Sequence, residues 1–381
     1  MNHKKRTYPL NQIYFYLTEG CNLKCRHCWI APKFQDESRS YPALSVDLFK
    51  SIVEQAKPLG ISGVKLTGGE PLLHPDIYEI IEYIRDQDLN LAVETNGVLC
   101  TPEIARKIGE CKNPFVSVSL DGADAETHEW MRGVSGCFEA SLEGVKNLVN
   151  TGIKPQIIMS LVRRNKDQMD RLVRLAESLG AESVKFNPTM PIARGETLHE
   201  IGDTLSIEEL VKLGSWVENG LSHSTDLRLA YDHPAAFRPL GKMFGDSGDG
   251  CSTCGVLGII GVLADGTYAL CGIGEHVSEL VFGHSETDRL EDVWETTGIL
   301  KELREGLTNR LEGICGDCLM KDLCLGSCIA QNYYKNKNLW EPFWYCEEAG
   351  KAGLFPETRK RPVFGEVIPV EETNQHKVAN A

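Results

Sequence analysis

Residues 12–29 read QIYFYLTEGCNLKCRHCW. The first six residues, 12–17, carry the bulky apolar side chains of a strand. The loop that follows places Cys21, Cys25 and Cys28 within eight residues. Four explanations compete for that spacing. A structural zinc site wants four ligands, usually in CxxC pairs. His27 supplies a fourth by count, but one tight loop would struggle to aim His27 and its neighbour Cys28 at one ion. A redox CxxC pair would leave Cys21 unused. Buried structural thiols need no regular spacing. An iron–sulfur cubane uses closely spaced thiolates on a loop, normally four of them. With three, one iron stays open to a small molecule.

Moving outward from this loop, apolar runs of strand length alternate with helical patterns up to about residue 190. GVKLT (63–67), LNLAVET (89–95), PFVSVSL (114–120), KPQIIMSLV (154–162) and SVKFNP (183–188) read as further strands. Between them, Ser45 is an N-cap with Gly60 past the last turn, and Thr101-Pro102-Glu103 places proline at a first helical position. Helices are expected from about His74-Pro75-Asp76, over 138–150 and over 167–179. Ser206-Ile207-Glu208-Glu209 resembles a capping box. Six strand–helix alternations call for parallel strands joined by right-handed crossovers, as a flat sheet or an open, partial barrel.

After about residue 232 the rhythm stops, and cysteine and glycine become frequent. Residues 256–272 read as a β-hairpin turning at Asp265-Gly266. A helix at 289–305 and a cysteine-dense region to about 346 follow. This gives an N-terminal arm (1–11), a core (12–232), a cysteine-rich domain (233–357) and a tail (358–381).

The net charge of −14 argues against nucleic-acid binding, because the basic runs at 3–6 and 359–361 lie near the chain ends. No apolar run reaches membrane-spanning length, and MNHKKRTYPLNQ lacks the apolar core of a secretory signal. A cytoplasmic location is therefore expected, where 14 cysteines do not form a disulfide framework. Cys100, Cys111 and Cys137 stand alone and read as small buried hydrophobes.

Cys21-x3-Cys25-x2-Cys28 after a first strand resembles the signature of the radical S-adenosylmethionine (SAM) enzymes. Gly68-Gly69-Glu70-Pro71 follows the second strand, Glu94-Thr95-Asn96-Gly97 ends the third and Ser119-Leu120-Asp121-Gly122 ends the fourth. His128 and Arg132 follow in the family's H-x3-R pattern. The resemblance implies an α/β fold, a partial (β/α)6 TIM-like barrel, and a [4Fe–4S] cluster on Cys21, Cys25 and Cys28 whose open iron chelates SAM. It implies SAM contacts at Gly68, Gly69, Glu70, Thr95, Asn96, Ser119 and Arg132. Glu70 would accept from the SAM ammonium, and Arg132 would grip its carboxylate.

In the C-terminal part, Cys254, eleven residues, Gly266, four residues and Cys271 precede Cys315-x2-Cys318-x5-Cys324-x3-Cys328 and then Cys346. This spacing resembles the seven-cysteine SPASM domain; a single zinc site could not use seven thiolates. The resemblance implies two auxiliary [4Fe–4S] clusters, on Cys254, Cys271 and Cys328 and on Cys315, Cys318, Cys324 and Cys346. Cys251 is a candidate fourth ligand for the first.

The family implies reductive cleavage of SAM to a 5′-deoxyadenosyl radical and modification of a peptide, such as thioether or C–C cross-linking or epimerisation. A flavodoxin- or ferredoxin-type reductant is implied. With about a dozen residues before the first strand, any leader-peptide-binding domain is expected as a separate protein, or the substrate is recognised otherwise. Tetrapyrrole-cofactor biosynthesis is the alternative. Sulfatase-type maturases carry an Asp where this chain has Gly272, which counts against that chemistry. A pure electron carrier would not need GGEP or SLDG. No general base is named; Asp232 and His233 read as a solvated loop.

Overall fold

The computed structural model describes residues 8–245 and 253–362. Seven strands run parallel: β1 (Gln12–Tyr16), β2 (Gly63–Thr67), β3 (Asn90–Thr95), β4 (Lys112–Ser119), β5 (Gln156–Leu161), β6 (Ser183–Pro188) and β7 (Arg228–Tyr231). Each pairs with the next, as short right-handed crossovers favour. The helices between them are α1 (Val46–Ala56), α2 (Ile77–Asp86), α3 (Pro102–Gly109), α4 (Ala125–Arg132), α5 (Cys137–Asn150), α6 (Met169–Leu179), α7 (Arg194–Glu200) and α8 (Ile207–Asn219).

The period-2 pattern of the strands separates two environments. Ile13, Phe15, Val64, Leu66, Leu91, Val93, Val116, Val118, Ile157, Met159, Val184 and Phe186 form the aliphatic core. α1 adds Phe49, Ile52 and Val53 to it, each burial worth roughly 1.5–3 kcal/mol. The alternate residues on the strands, Lys65, Thr67, Glu94, Ser117, Ser119, Ile158, Ser160 and Asn187, line a cavity instead. A barrel interior filled by Val, Ile and Leu would be solid; these side chains, polar apart from Ile158, leave this one open.

The expected caps form. Ser45 and Thr101 accept from Leu48 N and Ile104 N, and Ser206 and Glu209 complete the capping box. The hairpin also forms, as β8 (Ile259–Val262) and β9 (Thr267–Ala269), with β10 (Val281–His284) beside it.

Two features go beyond what the sequence pattern predicts. β7 adds a seventh parallel strand, and β8 pairs parallel with β1, so the sheet runs β10-β9-β8-β1-β2-β3-β4-β5-β6-β7. Every residue of β8 is buried, and pairing with β1 satisfies its backbone there. The hairpin of the cysteine-rich segment thus continues the sheet of the core. The helix expected over 289–305 is two, α9 (Leu290–Thr296) and α10 (Gly298–Gly306), because Thr297 between them is extended at φ −56°, ψ 124°. α11 (Ile329–Asn336) and α12 (Trp344–Lys351) follow. Among the described residues, no helix is long and apolar enough to cross a membrane.

Candidate functional site at the C-terminal ends of the strands

The loop after β1 carries Cys21, Cys25 and Cys28, and three further segments hold it. Gly69 N–H donates to Thr18 O at 3.0 Å, and Glu70 N–H donates to Gly20 O at 3.1 Å. Lys24 N–H and Arg26 N–H donate to the carbonyls of Arg132 and Met131, both at 2.9 Å. The last carbonyls of a helix lack intrahelical partners, so the end of α4 and the cysteine loop satisfy each other. Asn96 Nδ2 donates to Asn22 Oδ1 at 2.7 Å and ties in the end of β3.

Cys21, Cys25, Cys28, Gly68, Gly69, Glu70, Thr95, Asn96, Ser119 and Arg132 all line one cavity of about 350 Å³. Ligands of parallel α/β folds bind at this end of the strands. Among the described residues, no His, Cys, Asp and Glu side chains converge in threes as the ligands of a single metal ion would. Burial pushes the Cys25 thiol up to about 11 and raises Cys21 well above its ordinary value. Iron binding must therefore release protons from this loop.

The GGEP segment depends on absent side chains. Gly68 has φ +126°, a conformation L-residues rarely adopt. A Cβ on Gly69 would lie 1.9 Å from the carbonyl oxygen of Gly20. Glu70 is 1% exposed. Its Oε1 accepts from Thr95 Oγ1 (2.6 Å) and Leu72 N (3.1 Å), and its Oε2 accepts from Asn96 N (2.9 Å). The carboxylate thus fastens the loop after β2 to the end of β3.

Burial pushes the Glu70 carboxyl up to about 7, and the three donated bonds offset this only in part. A group with a raised folded pKa stabilises fully below its unfolded pKa and loses that contribution as pH rises through about 7. The slope is at most about 1.4 kcal/mol per pH unit. Glu70→Gln does not titrate and replaces one of the two acceptor oxygens by a donor amide, so a backbone N–H, of Asn96 or of Leu72, loses its acceptor. In urea unfolding of iron-free protein, its deficit relative to wild type should narrow from pH 5 to pH 7. A constant deficit would contradict the assignment.

The structure sorts the C-terminal cysteines into two groups. Cys254, Cys271 and Cys328 lie within electrostatic reach of one another. Cys346 interacts with Cys315, Cys318 and Cys324. Backbone N–H groups of Phe343 and Met320 donate to the sulfurs of Cys315 and Cys318, both at 3.3 Å. Cys251 lies outside the described residues. Cys100 and Cys111 are buried in the main core, as expected; Cys137 is buried too but does not stand alone, packing with Cys21, Leu23 and Cys25.

Lys65 and Glu94 carry the polar floor of the cavity, a role that no sequence motif assigns to them. Lys65 Nζ lies 3.1 Å from Glu94 Oε1 and 3.7 Å from the Tyr14 ring centre. Cys271 lies within electrostatic reach of Lys65 and Tyr14, and Cys254 within reach of Lys65, so the first C-terminal group lies near this ion pair. The available signal is a lysine inside GVKLT, since a strand buried on both faces has no use for a charge. Asp232 stays on an exposed loop, as expected, whereas the His233 side chain departs from that expectation. His233 is buried 3.4 Å from Glu218, and Asp232 pairs with Lys185 at 3.4 Å. Both residues follow directly on the end of β7.

The radical SAM superfamily pattern matches residues 15–176. The AdoMet-dependent heme synthase of Methanosarcina barkeri is 31% identical over 350 residues, covering 88% of this chain and 95% of that protein. Mycofactocin maturase MftC of Mycobacterium tuberculosis is 28% identical over 356 residues, covering 91% and 85%. Streptococcus suis SuiB bound to precursor peptide SuiA superposes with a TM-score of 0.70 at 18% identity, over 91% of this chain and 77% of that one. Native anSMEcpe with bound AdoMet superposes with a TM-score of 0.66 at 19% identity, over 90% and 95%. At such identities the structural likeness concerns the fold. With its cysteine loop, GGEP turn and strand-end cavity in one place, the chain belongs to the radical SAM superfamily, whose enzymes use SAM and a [4Fe–4S] cluster.

Proposed function

We propose that the chain is a radical SAM/SPASM oxidoreductase that modifies a peptide. The observation that carries this is that three cavities adjoin one another, sharing lining residues. The one beside Cys21 shares Thr189 with a second of about 680 Å³, lined from α7, α8, α11 and α12. It shares Glu94, Ser117, Ile158 and Asn187 with a third of about 340 Å³. Three adjoining cavities of mixed lining suit an extended chain better than a rigid planar macrocycle. The similarity to a maturase over 91% of the chain supports the same reading.

The residues present suit the implied cofactors. Three thiols share a cavity with a glycine cradle that a Cβ would fill, and Asn187 Oδ1 and Thr189 Oγ1 are buried there without hydrogen-bond partners. Cys21, Cys25 and Cys28 would hold the N-terminal cluster. Gly68, Gly69, Thr95, Asn96 and Ser119 would bind SAM, with Glu70 bracing them. Cleavage of bound SAM supplies the 5′-deoxyadenosyl radical. The two C-terminal groups would hold auxiliary clusters that accept an electron from the substrate. Both carboxylates in the first cavity are engaged, Glu70 by Thr95 and backbone N–H groups and Glu94 by Lys65 and Thr67; Glu94 is the more open of the two and would be the one to move a proton. A separate leader-binding protein and a flavodoxin- or ferredoxin-type reductant complete the system.

Formylglycine formation does not suit this chain. A Cβ at Gly272 would lie 2.4 Å from the Tyr16 ring and 2.5 Å from Ile30 Cδ1, so an Asp has no room there. Tetrapyrrole chemistry is the second reading, favoured by the 31% identity to a heme synthase.

The test is anaerobic incubation with SAM and dithionite. 5′-Deoxyadenosine should form, and its rate should rise with short peptides encoded beside the gene. A rise with Fe-coproporphyrin III alone would replace the peptide reading. No deoxyadenosine under any condition would remove the enzymatic one.

A further inference from the structure

Arg132 raises a question that its motif does not answer. The sequence resemblance aims it at the SAM carboxylate, yet its guanidinium is already engaged. Nη1 lies 3.5 Å from the Cys25 sulfur, and Nε lies 2.7 Å from Asp121 Oδ2. The Nε–Asp121 contact is close but off the hydrogen-bond line, so neither atom has an aligned partner. The two side chains are 7% and 0% exposed.

Asp121 is itself fixed. Oδ1 accepts from Ser160 N at 2.8 Å, and the Asp121 carbonyl accepts from Asn165 Nδ2 at 2.9 Å. Asp121 N–H donates to His128 Nδ1 at 3.2 Å, and His27 Nε2 stands 3.7 Å from Oδ2. Through its backbone, Arg132 also accepts from Lys24 N–H. SLDG, H-x3-R and the cysteine loop therefore form one buried unit that points a cation at the Cys25 sulfur.

We propose that Arg132 is a positioning residue of the cluster on Cys21, Cys25 and Cys28: held by Asp121, it donates to the Cys25 sulfur and raises the potential at which that cluster takes an electron. The inference rests on the reading of these cysteines as cluster ligands. Hydrogen bonds to ligand sulfurs, net charge and solvent exposure set such potentials. A buried cation stabilises the more negative, reduced state, and salt screens it little.

The experiment is an anaerobic reductive titration of the reconstituted protein, followed by electron paramagnetic resonance. It tracks the signal that changes when SAM is added. Arg132→Gln should shift the one-electron equilibrium about tenfold toward the oxidised cluster, about 59 mV lower. SAM affinity should stay within about threefold of wild type, since the residue acts on sulfur rather than on SAM. Arg132→Lys keeps the charge and should recover at least half of the shift. If Arg132→Gln fails to retain iron, the lysine variant alone still tests the idea, through a smaller shift in the same direction. An unchanged potential with SAM binding weakened about tenfold or more would overturn it in favour of a carboxylate clamp. A wild-type protein with no SAM-sensitive signal would overturn the cluster reading itself, and this inference with it.

Discussion

Replacing Cys21, Cys25 and Cys28 together with alanine should abolish 5′-deoxyadenosine formation and leave about two-thirds of the iron. Three cubanes hold about twelve irons, and the loop after β1 accounts for about four of them. The three thiols line the first cavity, and none of the C-terminal cysteines among the described residues lines it. Losing them should leave the C-terminal groups able to assemble iron. Iron and sulfide analysis with deoxyadenosine quantification checks both parts. Iron loss spread evenly over all sites would contradict independent centres, and deoxyadenosine persisting would contradict the loop's role.

Gly69→Ala should remove SAM binding and destabilise the iron-free protein by about 3 kcal/mol or more, from overpacking plus weakened backbone hydrogen bonds. The new Cβ would sit 1.9 Å from the Gly20 carbonyl oxygen and 2.6 Å from its carbon. Both partners are backbone, so no rotamer change relieves the contact. Moving them apart breaks the bonds from Gly69 N to Thr18 O and from Glu70 N to Gly20 O. Cys21 would move with Gly20. Gly241→Ala is the control: nothing lies within 4 Å of the place its Cβ would take, and it sits in a short helix where alanine is favoured. Urea unfolding and SAM titration should show a large loss for the first variant and almost none for the second. Equal behaviour of the two would remove the close-approach argument.

The strands are legible because a buried strand writes its environment into every second residue. Ile13, Phe15, Val64 and Leu66 announce the core face. Cap chemistry at Ser45, Thr101 and Ser206 is equally local, and each forms as its side chain requires. β7 escapes a pattern search because RLAY is four residues long, too short for periodicity to show. α4 escapes it because only Asp124 as N-cap and Gly133 at φ +73° mark its ends. The motif residues share one cavity because each follows a strand, and a parallel sheet brings those strand ends together.

Sequence alone determined the order of strands and helices, the residues at strand ends and the spacing of the cysteines, since all three are written in local period and composition. The tertiary structure decided the rest. It joined Gln12 to Ile259, turned Glu70 onto Thr95 and Asn96, paired Lys65 with Glu94 across two strands, and aimed Arg132 at Cys25 rather than leaving it free. These contacts link residues far apart in the chain. Only sheet register and packing set their distances, and no local pattern encodes either.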